Sequence, residues 1–122
     1  MGATRGIVLF AHGSRDARWR EPVEAVASRI NQTDPTVLVR CAYLEAATPD
    51  LASALDELAR AGALEVDVLP IFLGVGKHLR EDLPRLVGEL QRAHPGLRLH
   101  LRTAVGETPE LIDVLARIAL KN

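Results

Sequence analysis

Residues 6–18, with the sequence GIVLFAHGSRDAR, contain the clearest strand signal in the chain. The first six residues form a continuous apolar run that is too short for a typical helix. Such a run is typical of a central parallel strand that is covered on both faces. It ends at His12, Gly13 and Ser14, where an imidazole, a glycine and a hydroxyl replace the apolar side chains. Because ligands bind at the carboxyl ends of strands in open α/β sheets, we interpret His12 as a ligand-facing residue.

Three more strand patterns alternate with helical patterns along the rest of the chain. Strands are expected at residues 36–43, 65–73 and 97–102, and helices from Pro22, from Thr48-Pro49-Asp50, from about Leu79 and after Thr108. In the second helix we expect the Thr48 hydroxyl to act as the cap and Pro49 to open the first turn. The last helix should bury an apolar stripe, which comprises Leu111, Ile112, Leu115, Ile118 and Ala119.

This element order predicts an α/β fold with a doubly wound, four-stranded parallel sheet and helices on both faces. The fourth strand alternates apolar and polar residues, as an edge strand does, whereas the first strand is the most apolar. The economical strand order is therefore 2-1-3-4, which is flavodoxin-like. Strand order then reverses between strands one and three, where a ligand crevice is expected.

Composition and charge limit the classes of function. The chain has 122 residues, which suits a single domain over residues 1–122, and its net charge of −1 gives no electrostatic case for nucleic acid or membrane binding. Cys41 is the only cysteine, so an intrachain disulfide and a cysteine-based metal cluster are excluded. The opening residues lead directly into a strand and show no sign of a signal peptide. We therefore expect a cytoplasmic protein.

Two histidines and a glutamate are predicted to border the crevice. His12 ends the first strand, His78 follows the third in a glycine-bearing loop, and Glu45 follows the second. Imidazole and carboxylate groups in this combination form an open ligand set for a first-row divalent ion, and a neutral imidazole is also a general base. Each residue also has an ordinary interpretation. His12 could form a hydrogen bond with a loop at the strand end, His78 could pair with Asp82 in a helical turn, and Glu45 could be a solvated acid.

Basic residues cluster in sequence around the two histidines. Arg15, Arg18, Lys77 and Arg80 are either ordinary surface charge or, if the crevice is the site, the partners of a carboxylate-bearing ligand. Ser14 is interpreted as a cap or as a polar lining residue, because the strand–turn–helix motif of a nucleophilic serine is absent.

The chain resembles the CbiX/SirB family of sirohydrochlorin chelatases. Three motifs carry the resemblance in this order: residues 7–16 (IVLFAHGSRD), residues 43–45 (YLE) ahead of residues 48–49 (TP), and residues 69–73 (LPIFL) leading to residues 76–84 (GKHLREDLP). The resemblance implies a class II chelatase fold and ATP-independent insertion of a divalent metal into sirohydrochlorin, for cobalamin or sirohaem biosynthesis. It assigns the family's two site histidines to His12 and His78 and its site carboxylate to Glu45. It also implies the short form of the family, which pairs as a homodimer.

Several points stay open at the level of sequence. Cobalt is the expected metal substrate, with iron or nickel as alternatives, because nitrogen and oxygen ligands discriminate poorly among these ions. Two alternative functions also stay open: a non-catalytic carrier of tetrapyrrole or metal, and a flavodoxin-like ligand-binding domain. The carrier would bind without accelerating insertion, and the ligand-binding domain would be indifferent to both metal and tetrapyrrole.

Overall fold

The computed structural model describes residues 4–122, and the first three residues, on which the absence of a signal peptide partly rests, lie outside it. Within these residues, four strands and four α-helices alternate. Their bounds are β1 (Thr4–Ala11), α1 (Glu21–Thr33), β2 (Leu38–Tyr43), α2 (Leu51–Arg60), β3 (Ala63–Pro70), α3 (Lys77–Ala93), β4 (Arg98–Leu101) and α4 (Pro109–Leu120). Short 3₁₀ helices at Ala17–Arg20 and Val105–Glu107 precede α1 and α4. Within residues 4–122, no helix is both long and apolar enough to cross a membrane.

The sheet is parallel throughout and has the order β2-β1-β3-β4, which confirms the predicted topology. The apolar strand β1 lies between β2 and β3, and the alternating strand β4 forms an edge. Strand order therefore reverses between β1 and β3, so that the carboxyl ends of these two strands flank the crevice.

Alternate side chains of β1 point into two separate apolar layers. Val8 and Phe10 are buried with α2 and α3 on one face, whereas Leu9 and Ala11 are buried with α1 on the other. Helices therefore cover both faces, as predicted. The layer under α2 and α3 is the larger one, and α2 alone contributes four buried residues to it: Leu51, Ala54, Leu55 and Leu58.

Strand β3 begins and ends earlier than the sequence indicates. The apolar residues after Pro70 continue the pattern, but the strand stops at Pro70 itself. Pro70 has no N–H to donate, but the sheet loses no hydrogen bond there, because the pairing of β3 with β4 already ends at Val68 and Leu101. Strand β2 likewise begins at Leu38, two residues later than expected.

The predicted start of α2 is wrong in detail. Asp50, not Thr48, caps the helix, and its carboxylate accepts a hydrogen bond of 2.9 Å from the N–H of Ser53. Pro49 lies outside the helix because its carbonyl accepts a 2.9 Å bond from the N–H of Tyr43, which holds this segment against the end of β2. Gly62 follows the helix with φ of 97°, which is typical of a glycine at a helix C-terminus.

The predicted burial of the last helix is also wrong. Helix α4 has no buried residue, and its stripe faces solvent, with exposed fractions of 53% for Ile112, 41% for Leu115 and 56% for Ile118. Its main contacts in its own chain are with the 3₁₀ helix ahead of it. A surface helix ordinarily turns an apolar stripe of this kind toward the core.

Candidate functional site

The segments that follow β1 and β2 lie side by side at the carboxyl edge of the sheet. The N–H of Leu44 donates to the carbonyl of Ala11 at 2.9 Å, and the N–H of Glu45 donates to the carbonyl of His12 at 3.0 Å. These bonds extend the pairing of the two strands by one step. They bring Glu45 Oε2 to 3.7 Å from His12 Nε2.

A glycine makes this approach of the two segments possible. Gly13 adopts a φ of +106°, a conformation that residues with a side chain rarely adopt. A Cβ atom at position 13 would lie 1.7 Å from the carbonyl oxygen of Glu45. Gly13 therefore allows Glu45 to lie beside His12.

The ring of His12 rests against a phenylalanine from the neighbouring strand end. The centroids of His12 and Phe72 are 6.5 Å apart at an interplanar angle of 84°, and Phe72 in turn packs edge-on against Phe10. The imidazole is thus supported on one side by apolar residues. The side chains of His12 and Glu45 remain 56% and 66% exposed, so both are accessible to an ion or a flat ligand.

His78 lies in the first turn of α3, not in the loop that was predicted. Gly76 is the N-cap, and the helix begins at Lys77. The carboxylate of Asp82 pairs with Arg85 at 3.4 Å, and within residues 4–122 it does not pair with His78, so the ordinary interpretation of His78 as the partner of Asp82 is not found. His78 is exposed on the β3 side of the crevice.

The structure brings two of the three proposed metal ligands together. His12 and Glu45 form a pair, whereas no three His, Cys, Asp or Glu side chains of the described part of the chain converge on one point. His78 therefore belongs to the same edge of the sheet without completing a three-ligand cluster.

Ser14 and three of the basic residues proposed to bind an anionic ligand have different environments. Arg15 and Lys77 are exposed and have no acidic partner within residues 4–122. Arg80 is exposed as well but donates to the carbonyl of Val75 at 3.2 Å, which ties the preceding loop to α3. The hydroxyl oxygen of Ser14 accepts the N–H of Asp16 at 3.0 Å, as expected of a local cap.

Sequence reasoning missed the apolar side chains at this edge. Leu44, whose N–H bonds to the carbonyl of Ala11, directly precedes Glu45 and is 37% exposed. Leu73 directly follows Phe72 and is 68% exposed. Phe72 and Leu73 are the last two residues of the predicted third strand, whereas the strand ends at Pro70 and both residues follow it, next to the site. Large apolar residues directly after a strand end were the available signal.

Comparison with known proteins places this geometry in a family. The model of the CbiX family matches residues 6–121. Curated relatives include the sirohydrochlorin cobaltochelatase of Saccharolobus solfataricus, 34% identical over 68% of this chain and 63% of its own length. The chloroplastic sirohydrochlorin ferrochelatase of Arabidopsis thaliana is 27% identical over 94% of this chain and 51% of its own length.

A solved structure agrees with these relatives. The CbiX protein of Marinobacter aquaeolei VT8 superimposes with a TM-score of 0.81 at 32% identity, and the alignment covers 94% of this chain and 93% of that one. The match to the curated cobaltochelatase, in contrast, spans less than two thirds of that protein. With a family model that matches nearly all of its length, the chain belongs to the CbiX family.

Proposed function

We propose that this protein is a sirohydrochlorin chelatase, which inserts a divalent metal ion into the tetrapyrrole without ATP. The observation that carries the proposal is the His12–Glu45 pair, exposed at the carboxyl edge of the sheet in a member of the CbiX family. An imidazole and a carboxylate within 4 Å suit a first-row divalent ion, and their exposure leaves room for the ion to exchange ligands.

The reaction requires both ligand exchange and proton removal. A divalent ion must leave water and protein ligands for four pyrrole nitrogens, while two of these nitrogens each lose a proton. One imidazole cannot hold the ion and accept a proton at the same moment. We assign these two tasks to His12 and His78, with Glu45 beside His12 to help bind the ion or relay protons.

The surroundings of the pair suit a flat, acidic macrocycle. Leu44 and Leu73 offer apolar surface at the same edge, and Arg15, Lys77 and Arg80 offer charges to carboxylate side chains. One copy supplies only one open wall of such a site. We therefore propose a homodimer in which two such edges face a shared cleft.

Cobalt is the metal that we propose, and iron and nickel remain alternatives to be tested. The relative named as a cobaltochelatase is the more similar of the two curated proteins described above, at 34% against 27% identity. Nitrogen and oxygen ligands follow the general order of divalent affinities and do not select cobalt by themselves. We accordingly propose that the product enters cobalamin or sirohaem biosynthesis.

Anaerobic absorbance spectroscopy of sirohydrochlorin with Co²⁺ tests the proposal. The wild-type protein should accelerate insertion over the uncatalysed control, and His12→Ala, Glu45→Gln and His78→Ala should each slow it by about 10²-fold or more. His100→Ala is the matched control, because His100 lies on the edge strand β4, beside Glu65 of β3 and away from the site. Equal rates for the wild type and all three site variants would refute the proposal.

Equilibrium binding separates the two histidines from each other. A variant that loses its metal ligand should lose Co²⁺ affinity in a spectroscopic titration, whereas a variant that loses the proton acceptor should keep it and lose only the insertion rate. Tight binding of metal and tetrapyrrole with no acceleration by the wild type would instead indicate a carrier.

A further inference from the structure

The orientation of the His12 ring depends on packing more than on polar contacts. Glu45 Oε2 lies 3.7 Å from His12 Nε2, which is beyond the length of a hydrogen bond, and both side chains are more than half exposed. A pair of this kind leaves an imidazole free to rotate about its side-chain bonds. A metal ligand or proton acceptor works only where its lone pair points at the reacting atom, so the ring needs a further contact that sets its direction.

Phe72 supplies that contact. His12 follows Phe10 by two residues and lies on the same face of the sheet, where the ring of Phe72 packs edge-on against both side chains. The centroid of Phe72 is 6.5 Å from that of His12 and 6.2 Å from that of Phe10. Phe10 and Phe72 are both buried in the apolar layer under α2 and α3. The ring that contacts the exposed imidazole is therefore itself held in the core.

The backbone of Phe72 is fixed although it lies beyond the end of β3. The N–H of Ile71, the first residue after the strand, donates to the carbonyl of Phe10 at 2.7 Å, so the chain stays attached to β1 for one more step. The carbonyl of Phe72 accepts the N–H of Gly106 at 2.9 Å. The segment that carries the ring is therefore tied to β1 on one side and to the 3₁₀ helix Val105–Glu107 on the other.

Close backbone contact holds this 3₁₀ helix against the segment. A Cβ at Gly106 would lie 1.8 Å from the carbonyl oxygen of Leu73, so only glycine fits at this position without a shift of the backbone. The turn also closes on itself, because the Thr108 hydroxyl donates to the carbonyl of Val105 at 2.7 Å, and Ala104 ahead of it is buried. A well-anchored turn ahead of α4 thus contacts the segment that bears Phe72.

We propose that Phe72 is a positioning residue for His12, and that Gly106 keeps Phe72 in its place. The contacts form one series. The 3₁₀ helix fixes the backbone of Phe72, the ring of Phe72 lies against His12, and Nε2 of His12 lies on the side of Glu45. The consequence for metal insertion rests on the proposed chelatase function, whereas the orientation of the ring does not.

The exposure of two neighbouring residues separates this role from contact with the substrate. Phe72 is 9% exposed and offers a tetrapyrrole little surface of its own, whereas Leu73, the next residue, is 68% exposed. An apolar contact with the macrocycle is therefore a task for Leu73. Phe72 acts through the imidazole that it supports.

Imidazole signals of the protein without metal or tetrapyrrole test the orientation directly. The chain has four histidines, so a protein labelled with ¹³C-histidine gives a short set of ¹H–¹³C signals, in which His12→Ala identifies the signal of His12. Phe72→Leu and Gly106→Ala should both shift this signal, because the edge-on aromatic contact is lost in the first variant and displaced in the second. The signals of the two histidines outside the site should stay in place.

Two variants are the matched controls for this measurement. Leu97→Ala truncates the same apolar layer at the opposite edge of the sheet, and Gly96→Ala adds a Cβ that meets nothing within 4 Å. Both should keep the His12 signal of the wild type. A His12 signal that is unchanged in Phe72→Leu, or that moves equally in Leu97→Ala, would overturn the positioning role. An unchanged signal in Gly106→Ala would show that the turn yields instead, and would overturn the part assigned to Gly106.

The kinetics of Co²⁺ insertion test the consequence for the reaction. Phe72→Leu should lower kcat by roughly tenfold, because a misdirected imidazole slows the transfer of the ion or the proton, and should leave KM for sirohydrochlorin within about twofold. Leu97→Ala should keep both parameters of the wild type. An unchanged kcat in Phe72→Leu, or a raised KM in its place, would overturn the positioning role. A wild type without insertion activity would refute the proposed function alone, since the histidine signals are measured without either substrate.

Discussion

The backbone of Gly13 touches the backbone of Glu45 so closely that no side chain fits between them. A Cβ at position 13 would lie 1.7 Å from the Glu45 carbonyl oxygen, and the φ of +106° adds strain for any other residue. Gly13→Ala should therefore destabilise the protein by about 2 kcal/mol or more. It should also separate Glu45 from His12. Denaturant unfolding followed by circular dichroism, together with Co²⁺ titration, checks both effects.

Gly74→Ala is the matched control for that variant. Gly74 lies at the same edge of the sheet, but a Cβ there meets nothing within 4 Å. The control should have the stability and Co²⁺ affinity of the wild type. A Gly13→Ala protein as stable as the control would show that the loop moves aside without cost, and the link between Gly13 and the pair would be lost.

The hydroxyl of Tyr43 is buried without a hydrogen-bond partner among the described residues. Its removal in Tyr43→Phe should leave stability unchanged or raise it by about 1 kcal/mol, because an unpaired buried hydroxyl costs its desolvation. Urea unfolding at pH 7 measures the difference. A loss of more than about 1 kcal/mol would reveal a partner for the hydroxyl.

Alkaline pH gives the same residue a second signature. Burial, followed by the nearby Cys41 and Glu24, raises the pKa of Tyr43 to about 12 from an ordinary value of 10.0. Above pH 10 the unfolded chain therefore releases this proton before the folded protein does, and stability falls as pH rises toward 12. Tyr43→Phe should show a shallower decline over this range. Parallel declines in the two proteins would contradict the assignment.

The strand order follows from residues that the sequence displays openly. The run from Gly6 to Ala11 is apolar at every position, which only a strand covered on both faces requires, and the alternation of Arg98–Leu101 is that of an edge. The proximity of His12 to Glu45 follows from the strand order alone, since β1 and β2 are adjacent and parallel. This much of the site needed no knowledge of side-chain packing.

The errors arise where distant contacts decide between local alternatives. Thr48-Pro49 and Thr108-Pro109 look alike, but only the second opens a helix, because the carbonyl of Pro49 is bonded to the N–H of Tyr43. The stripe of α4 predicts a buried helix face, but an amphipathic pattern does not specify what covers that face, and within residues 4–122 the stripe is exposed.

The cap of α2 should be measurable in acid. The N–H of Ser53 donates to the carboxylate of Asp50 and holds the pKa of Asp50 below its ordinary value of 3.8. The unfolded chain then binds more protons in this range, so the contribution of Asp50 is complete above about pH 4 and is lost as pH falls through the folded pKa. Asp50→Ala should cost about 1 kcal/mol at pH 7, and Asp50→Asn less. Both variants should have a weaker acid dependence than the wild type, as measured by urea unfolding between pH 2 and pH 7.

The exposed cations at the site should act on substrate binding more than on the chemical step. Replacing Arg15 and Lys77 together by Gln should raise KM for sirohydrochlorin roughly tenfold, since exposed ion pairs contribute up to about 1 kcal/mol each, and should leave kcat within about twofold. Added salt should weaken binding by the wild type more than by the variant, because screening removes an attraction that the variant no longer has. Arg92→Gln is the control, since Arg92 lies at the far end of the helix that begins with Lys77. A lower kcat at unchanged KM in the double variant would assign these residues to the insertion step instead.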